Sequence, residues 1–388
     1  MCLAYMPGSY AQYQLSVYAP ELMQSFRLTT SQFSSLFTAP MIVAIFLSFV
    51  GGMISDKVGS KKVINISFVI AGIGMIGRVF ANSYMPFFLC MALTGFSNMF
   101  VNINASKITA SWFEQEKLGI LMGIFAFCGQ LPGAFATATT AVLFDSRTSA
   151  FIVSAIFCIS VFVLWLLFVK DKPEDAMEER EKIDQENQPS IGDSLKVVLS
   201  NKGIWLVSIC IMMVLGSTVT LSTFLPMALQ TMYGIDLKVC GTIASMLTLG
   251  NCIGSITGPI VFSKIKNVKV FVSGAAVLSF TGIIMCWRFP SIFVLHILVL
   301  YTGIMLGASM PIFLSAPVLL EGLGTKYAGS AAGVISTLQL LGAVLIPTYI
   351  LTPIAGDNYS LLFMLASICM VIMFLCGLLL PQFGNNQK

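Results

Sequence analysis

The sequence predicts an all-α membrane protein whose twelve transmembrane helices form two pseudo-symmetric bundles of six. Three observations support this fold class: an apolar composition, hydrophobic segments of bilayer length, and a motif that recurs in the second half of the chain. Of the 388 residues, 57% are hydrophobic and 10% are charged, whereas soluble domains carry roughly 25% charged residues. The apolar segments are hydrophobic on every face, which excludes the alternating strands of a transmembrane β-barrel and leaves helices.

Charged and turn residues divide the chain into twelve candidate spans. They cover residues 1–20, 33–54, 63–82, 85–111, 118–144, 148–169, 203–233, 239–263, 270–287, 290–315, 327–350 and 359–381. Most of them are long enough to cross roughly 30 Å of hydrocarbon with some tilt. Pro7 and Gly8 interrupt the first span and no basic residue precedes it, which leaves open a native start upstream of Met1.

The distribution of Lys and Arg predicts the orientation of these spans. The loops on one side of the membrane carry most of the basic residues, and those on the other side carry only Arg27, Arg147, Lys238 and Arg288. Cytoplasmic loops are enriched in basic residues. We therefore expect both termini to be cytoplasmic and the protein to be a multi-pass component of the cell membrane.

Residues 170–202 differ in composition from the rest of the chain. They hold more than half of the acidic residues, mixed with basic ones. We interpret them as a solvated cytoplasmic loop that joins an N-terminal six-helix bundle, residues 1–169, to a C-terminal six-helix bundle, residues 203–388. Near the end of this loop, residues 194–205 are expected to form a short interfacial helix.

An internal repeat supports two equivalent halves. Residues 51–63 align with residues 258–270 at an offset of 207, and further matches occur at offsets of 210 and 209. These pairs are Gly119 with Gly329, Gly123 with Gly333, and Gln130 with Gln339. Transporters built from parallel six-span halves bind substrate near the bilayer midplane. Because Gln130 and Gln339 occupy equivalent depths, both are candidate substrate ligands.

The loop after span two carries the most specific motif of the chain. The segment GGMISDKVGSKK resembles the signature of the major facilitator superfamily, although Ser60 stands where that family usually has a base. The matching residues are Gly52, Asp56, Lys57, Gly59, Lys61 and Lys62. Gly59 permits a tight reversal between two helices, and Gly52 permits a close helix approach. The resemblance implies a conformational latch, in which Asp56 faces the N-terminus of helix eleven near Tyr327 and closes the cytoplasmic side.

The end of span four indicates a branch of that superfamily. Lys107, Trp112 and Phe113 are similar to the same region of its anion-transporting branches, namely the anion:cation symporters, oxalate/formate exchangers and nitrate carriers. Those branches often read Trp-Phe-Pro there, whereas this chain has Glu114 in place of the proline. The similarity therefore suggests such a branch without identifying one.

Charged residues inside the spans are the best indication of the substrate, because each is costly in hydrocarbon and usually marks a solute path. Only Arg78 and Lys107 qualify, and no Asp or Glu lies within the predicted spans. These cations either supply positive potential to a cavity that accepts an anion or extend to the membrane surface. The lack of a membrane carboxylate argues against a drug/proton antiporter for cationic drugs.

Uncharged polar side chains provide further candidate ligands, because the family builds its cavity largely from helices one, four, seven and ten. The candidates are Tyr13 and Gln14 in the first helix, Asn98 and Asn102 in the fourth, and Tyr301 in the tenth. Asn98 and Asn102 are one turn apart and share a helix face. Hydrogen bonds between helices would explain any of these residues equally well.

These observations predict a secondary transporter, either a uniporter, a symporter or an antiporter, that moves a small organic or inorganic anion by alternating access. A proton or a counter-anion is the candidate coupling partner. The alternatives are an efflux carrier for a neutral or hydrophobic compound and a non-transporting membrane sensor. We expect no enzyme activity, cofactor or metal site, because no phosphate-binding glycine loop and no cluster of His, Cys and acidic residues occurs at membrane depth. We also expect a monomer in the lipid bilayer that binds no nucleic acid, since the basic residues are dispersed.

Overall fold

The structure is a computed structural model of the chain, and it describes residues 1–112, 115–169, 191–320 and 323–382. Within these ranges the protein is helical and contains no β-strand. The chain divides into two compact units. The first unit consists of Met1–Asn187 with Leu237–Gly241, and the second consists of Gln188–Asp236 with Thr242–Lys388.

The described part of the first unit is built mainly from seven helices that follow one another along the chain. They are α1 (Cys2–Val17), α2 (Ala19–Phe26), α3 (Thr30–Val58), α4 (Ser60–Phe80), α5 (Tyr84–Trp112), α6 (Gln115–Leu143) and α7 (Arg147–Phe168). The long helices α3 to α7 follow one another with few residues between them.

The remaining helices of the described residues lie in the second unit, apart from Leu237–Gly241. They are α8 (Ile191–Ser200), α9 (Lys202–Tyr233), α10 (Leu237–Ile265), α11 (Val268–Met285), α12 (Ile292–Leu319), α13 (Gly324–Leu345), a π-helical turn (Ile346–Leu351), α14 (Thr352–Ala355) and α15 (Tyr359–Leu379). The short helix α8 overlaps the predicted interfacial segment 194–205, but it begins three residues earlier and ends at Ser200, next to the start of α9.

Each of the twelve predicted spans corresponds to one long helix among the described residues. Ten of these helices are long and apolar enough to cross a membrane, and α1 and α6 complete the set. The first span is shorter than predicted. Helix α1 ends at Val17, and Tyr18 separates it from α2, where Pro20 occupies the first turn. Proline is favoured in the first turn of a helix because the missing N–H would have no partner there.

The same pairs of helices pack together in both units. In the first unit, α1 packs against α6 and α7, α4 packs against α5 and α7, and α3 packs against α5. In the second unit, α9 packs against α13 and α15, α11 packs against α12 and α15, and α10 packs against α12. The internal packing therefore repeats from one six-helix bundle to the next, as the sequence repeat predicts.

Helices α10 and α12 approach each other closely through glycine. Gly250, Gly254 and Gly258 of α10 lie against the backbone of α12 between Leu300 and Ala308. A methyl group at Gly254 would lie 2.9 Å from the backbone nitrogen of Ala308. Small residues at a spacing of four allow two helix backbones to make this contact in a membrane, where close packing replaces the hydrophobic effect.

Candidate functional site

Arg78 is enclosed within the first unit, where it ties α4 to α1 and α7. Its side chain is 1% exposed. Nη1 donates to the carbonyl oxygen of Ala11 at 3.0 Å, and Nη2 donates to Gln14 Oε1 at 2.9 Å and to Ser154 Oγ. The guanidinium carbon also lies 4.4 Å from the centre of the Phe151 ring. The alternative that Arg78 extends to the membrane surface is therefore wrong.

The charge of Arg78 has no acidic partner among the residues that the structure describes. Its Nε is also without a hydrogen-bond partner in that part of the chain. A buried charge is costly unless it is paired and hydrogen-bonded. The uncharged acceptors and the ring of Phe151 reduce this cost, but they leave the charge in place. Arg78 therefore creates positive potential inside the first unit, between the last turn of α4 and the second half of α1.

Gln14 is fully buried and uses both ends of its amide. Its Oε1 accepts from Arg78, and its Nε2 donates to the carbonyl oxygen of Ala150 at 3.1 Å. Gln14 thus joins α1 to α4 and α7. These contacts place it in the same hydrogen-bonded cluster as Arg78, and its role as a substrate ligand stays a prediction.

The side-chain amide of Asn98 bridges two backbone groups of α1 beside Pro7. With the amide oriented to satisfy both groups, Nδ2 donates to the carbonyl oxygen of Tyr5 at 2.9 Å and Oδ1 accepts from the N–H of Ser9 at 3.1 Å. In a regular helix the N–H of residue i donates to the carbonyl oxygen of residue i−4. The N–H of Ser9 and the carbonyl oxygen of Tyr5 would therefore bond each other. Gly8 makes room for the amide, because a methyl group there would lie 2.7 Å from Asn98 Cγ.

This bridge coincides with the weakest turn of α1. Pro7 removes one backbone donor from the helix, and Gly8 has more conformational freedom than any other residue type. The Asn98 amide on α5 therefore holds together a turn whose own hydrogen bonding is incomplete. The contact ties this turn of α1 to α5.

Tyr5 and Tyr13 of α1 pack onto glycines of α6. A methyl group at Gly133 would lie 3.0 Å from the ring of Tyr13, and one at Gly129 would lie 3.3 Å from the ring of Tyr5. Tyr13 is half-buried and makes an edge-to-face contact with Phe37, with ring centres 5.5 Å apart. The glycines of α6 thus allow close packing of the tyrosine face of α1.

Three predicted ligands carry side-chain amides without a hydrogen-bond partner in the described ranges of the chain. Asn102 in α5 and Gln130 in α6 are exposed on the first unit, and Gln339 in α13 is half-buried in the second. An amide in contact with lipid would leave its polar groups unsatisfied. Their exposure therefore favours contact with water or with a solute.

The helical positions in α5 separate an apolar face from an amide face. Met85 and Leu89 are exposed apolar residues. At 3.6 residues per turn, Asn98 lies about 180° and Asn102 about 140° around the helix from Leu89. The position of Lys107 is about five full turns from Leu89 and so on its face; its side chain lies outside the described residues. Asn98 and Asn102 therefore share a face, as predicted, and Lys107 is not on it.

Tyr301 makes a contact between helices of the second unit. Its hydroxyl donates to the carbonyl oxygen of Leu278 at 3.2 Å and lies 3.4 Å from Thr281 Oγ1. Both partners belong to α11, so the hydroxyl joins α12 to its neighbour. That Tyr301 contacts substrate stays a prediction.

The predicted latch segment joins α3 to α4. Gly59 has a φ of 96° and forms the tight reversal between these helices, as the sequence indicates, because only glycine adopts this backbone conformation readily. Lys61 is half-buried and Lys62 is exposed in the first turn of α4. The side chains of Asp56 and Lys57 and the surroundings of Gly52 lie outside the described residues, so the latch itself stays a prediction.

Sequence reasoning missed the partners of the predicted residues. Ala11 and Ser154 accept hydrogen bonds from Arg78, and Ser9 bonds Asn98. Near the latch, Ser55 donates to Asn104 and so ties the end of α3 to α5. The hydroxyl groups of Ser9, Ser55 and Ser154 are a weak signal in the sequence, because such residues are common in membrane helices for other reasons.

Solved structures with the same fold are membrane transporters. A bacterial homolog of the human lysosomal transporter Spinster, in an inward-facing and unoccupied conformation, superposes with a TM-score of 0.75 at 13% identity, over 98% of this chain and 93% of that one. The nucleoside transporter NupG superposes with a TM-score of 0.77 at 14% identity, over 98% of both chains. At this level of identity the likeness shows the fold alone.

Curated relatives cover most of the chain at low identity. A probable sulfoacetate transporter of Cupriavidus necator is 24% identical over 355 residues, which is 87% of this chain and 82% of that protein. A galacturonate transporter of Dickeya chrysanthemi is 23% identical over 69% of this chain and 81% of its own length. A membrane sensor protein of Salmonella typhimurium is 24% identical over 84% of this chain and 78% of its own length.

The family comparison covers both units. The sequence model of the Major Facilitator Superfamily matches residues 1–347, which include the latch motif, the Arg78 cluster and most of the second unit. The chain therefore belongs to the Major Facilitator Superfamily.

Proposed function

We propose that this protein is a secondary active transporter for a small organic anion that carries a carboxylate. The observation that carries the proposal is the buried guanidinium of Arg78, which has hydrogen-bond acceptors but no acidic partner among the described residues. Because every Asp and Glu of the chain lies outside the predicted spans, the spans carry positive charge only. This charge balance favours an anion and disfavours a cation in the membrane interior.

The names of the relatives support the same substrate chemistry. Transporters of sulfoacetate, galacturonate and hexuronate are among them. These compounds share a carboxylate on a small polar molecule, and they differ in whether a sulfonate or sugar hydroxyls accompany it. A site for this class needs positive potential together with several hydrogen-bond donors.

The described residues supply both requirements in the first unit. Arg78 acts as a positioning residue, because it holds α1 at Ala11 and Gln14 and adds positive potential there. The amides of Asn102 and Gln130 are exposed and can donate to a carboxylate or bond a hydroxyl. Gln339 offers the same group in the second unit. Lys107, Tyr13 and Tyr301 stay proposed ligands on the strength of the sequence.

We further propose the topology that the basic loops predict. Both termini are cytoplasmic, residues 170–202 form a cytoplasmic loop between bundles 1–169 and 203–388, and the latch around Asp56 closes the same side. The monomer works in the cell membrane and couples substrate movement to a proton or a counter-anion. The relatives support a membrane location, and the Lys and Arg distribution supports the orientation.

Uptake by proteoliposomes tests the substrate class. The purified protein is expected to give saturable uptake of radiolabelled galacturonate or sulfoacetate and no uptake of glucose, which is uncharged. Asn102→Ala should raise KM about tenfold, because a hydrogen bond to a charged group contributes roughly 1.5 kcal/mol or more. Leu89→Ala, on the opposite face of the same helix, is the matched control and should leave KM unchanged. Uptake of glucose but of neither acid would contradict the proposal.

A second candidate function is a membrane sensor that binds such an anion without transporting it. The matches to membrane sensor proteins of Salmonella typhimurium and Escherichia coli favour this candidate. A carrier and a sensor would both gain thermal stability from a ligand, because a ligand stabilises the folded state that binds it. Stabilisation by an acid, combined with no uptake of that acid in vesicles of either orientation, would favour the sensor.

A further inference from the structure

A cavity of about 770 Å³ lies at one end of the second unit. It is bordered by the first turns of α9 and α11 and by the last residues of α12 and α15, and its lining includes Lys202, Lys269 and Trp205. Because α9 and α11 begin at this end and α12 and α15 finish there, the cavity opens on the side of the membrane where α8 lies. None of its lining residues is among those assigned to the transported anion.

Two lysines give this cavity positive charge. Lys202 and Lys269 are both exposed, and neither forms an ion pair with any residue that the structure describes. They belong to different helices, α9 and α11, and both line the same cavity. Two lysines on one cavity without a protein partner fit an anionic group from outside the chain.

The N-terminus of α9 does not itself supply the anion site. Asn201 caps this helix, and its Oδ1 accepts from the N–H groups of Gly203 at 2.8 Å and Ile204 at 3.4 Å. The N–H groups of Gly203 and Ile204 are therefore used by the helix's own cap. The lysine ammonium groups supply the positive charge for a bound anion.

The wall of the cavity is apolar and open to the hydrocarbon. Leu379 is 69% exposed at the end of α15, and Leu206, Leu320 and Pro381 line the interior beside it. Acyl chains would cover this surface at little cost, since lipid tails are as apolar as leucine. A small soluble anion would leave the same surface uncovered.

Trp205 places the cavity at the level of the lipid headgroups. Its ring is 43% exposed, and its Nε1 donates to the carbonyl oxygen of Leu199 at the end of α8 at 2.8 Å. Tryptophan is enriched at this depth because its ring is apolar and its N–H is polar. The indole therefore forms a fixed edge between the charged opening and the apolar wall.

We propose that this cavity binds an anionic diacyl phospholipid of the phosphatidylglycerol type. Its phosphate lies between Lys202 and Lys269, and its acyl chains run along Leu379 into the bilayer. Basic pockets between transmembrane helices recognise acidic lipid headgroups through the same combination of charge and apolar contact. Occupancy of the site by lipid would then depend on the amount of anionic lipid in the surrounding leaflet.

Lipid binding to the full-length protein in an uncharged detergent tests the proposal. Native mass spectrometry is performed with dioleoylphosphatidylglycerol and, for comparison, with dioleoylphosphatidylcholine. The double variant Lys202→Gln with Lys269→Gln should bind phosphatidylglycerol about thirtyfold more weakly than the parent, which corresponds to about 2 kcal/mol at 1.4 kcal/mol per tenfold. Binding of phosphatidylcholine should not change.

The matched control removes two lysines of the same loop region that do not line the cavity. Lys264→Gln with Lys266→Gln should retain the parent affinity for phosphatidylglycerol. An equal loss in both double variants, or no loss in either, would overturn the proposal, because it would indicate only general attraction to the basic surface or none. Protection from thermal unfolding by inorganic phosphate equal to that by the lipid would also overturn it, since the occupant would then be a soluble anion.

Discussion

At the residue scale, Arg78 holds the first unit together with donors directed at two different helices. A guanidinium presents its N–H groups in a fixed planar fork, so it can bond the Ala11 carbonyl, Gln14 and Ser154 at the same time. An ammonium group is a single point of charge and does not reproduce this geometry. The contacts with α1 therefore depend on the geometry of the guanidinium group as well as on its charge.

Arg78→Lys should destabilise the protein although it keeps the charge. We expect the free energy of unfolding to fall by about 2 kcal/mol, because at least one charge-assisted hydrogen bond is lost and a buried acceptor is left without a donor. Thermal unfolding of the purified variant measures this change. Arg147→Lys is the control, since its ion pair with Glu21, at 3.5 Å, is partly exposed and such pairs contribute little. Equal stability of Arg78→Lys and the parent would contradict the anchoring role.

The Asn98 bridge predicts a coupling between Gly8 and Asn98. Gly8→Ala should cost about 1–3 kcal/mol in the parent, because the added methyl group displaces the amide from α1 and overpacks the contact. In an Asn98→Ala background the same substitution should cost less than about 0.5 kcal/mol, since the obstructing amide is gone. A double-mutant cycle of thermal unfolding gives the coupling energy. Additive effects of the two substitutions would rule out the bridge.

The candidate residues could be read from the sequence, but their partners could not. Asn98 and Asn102 are predicted to share a face by their spacing alone. The contact of Asn98 with Tyr5 and Ser9 depends on how two helices some 90 residues apart in sequence approach each other. Local periodicity contains no information on that approach, so an amide that binds backbone and an amide that is free look identical in the sequence.

At the element scale, glycines of α10 bring its backbone into direct contact with the backbone of α12. Side chains normally separate two packed helices by 8–10 Å between axes. Here the backbone of α12 from Leu300 to Ala308 lies directly against Gly250, Gly254 and Gly258. A side chain at any of these glycines would have to move a backbone and not merely another side chain.

Gly254→Ala should therefore destabilise the second unit. We expect a loss of about 1–3 kcal/mol, because overpacking a rigid contact forces backbone shifts. Gly274→Ala is the matched control: Gly274 is exposed in α11 with no atom near its added methyl group. That control should be neutral or slightly stabilising, since alanine favours a helix over glycine by up to about 1 kcal/mol. Thermal unfolding that ranks the two variants equally would disprove the rigid contact.

Helix positions were predictable because lipid imposes a simple rule on composition. A charged or turn residue in hydrocarbon is costly, so the ends of the spans are visible in the sequence, and ten of the twelve predicted spans match one long helix each within a few residues. The first span breaks between α1 and α2 at Tyr18, where no charged residue marks the end. The span 327–350 runs past the end of α13 at Leu345 into the π-helical turn, which has no signal beyond Pro347.

At the scale of the whole molecule, the repeat explains why two bundles with little common sequence have the same internal packing. Only a few glycines, lysines and one glutamine pair align between the halves. The equivalent helices nevertheless pair in the same way in each unit. Close approach of helix backbones requires small residues at particular positions, and most other positions accept any apolar side chain. The repeat in the sequence is therefore faint while the repeat in the fold is plain.

The charge of Arg78, which has no acidic partner among the described residues, is also subject to the membrane potential. A unit charge that crosses the whole membrane field gains or loses about 2.3 kcal/mol for each 100 mV. If the first unit carries Arg78 through a tenth of that field when it reorients, a potential of 100 mV changes the balance between its two orientations by about 0.2 kcal/mol. Membrane voltage would then bias the resting carrier before any solute binds, whatever charge the solute brings.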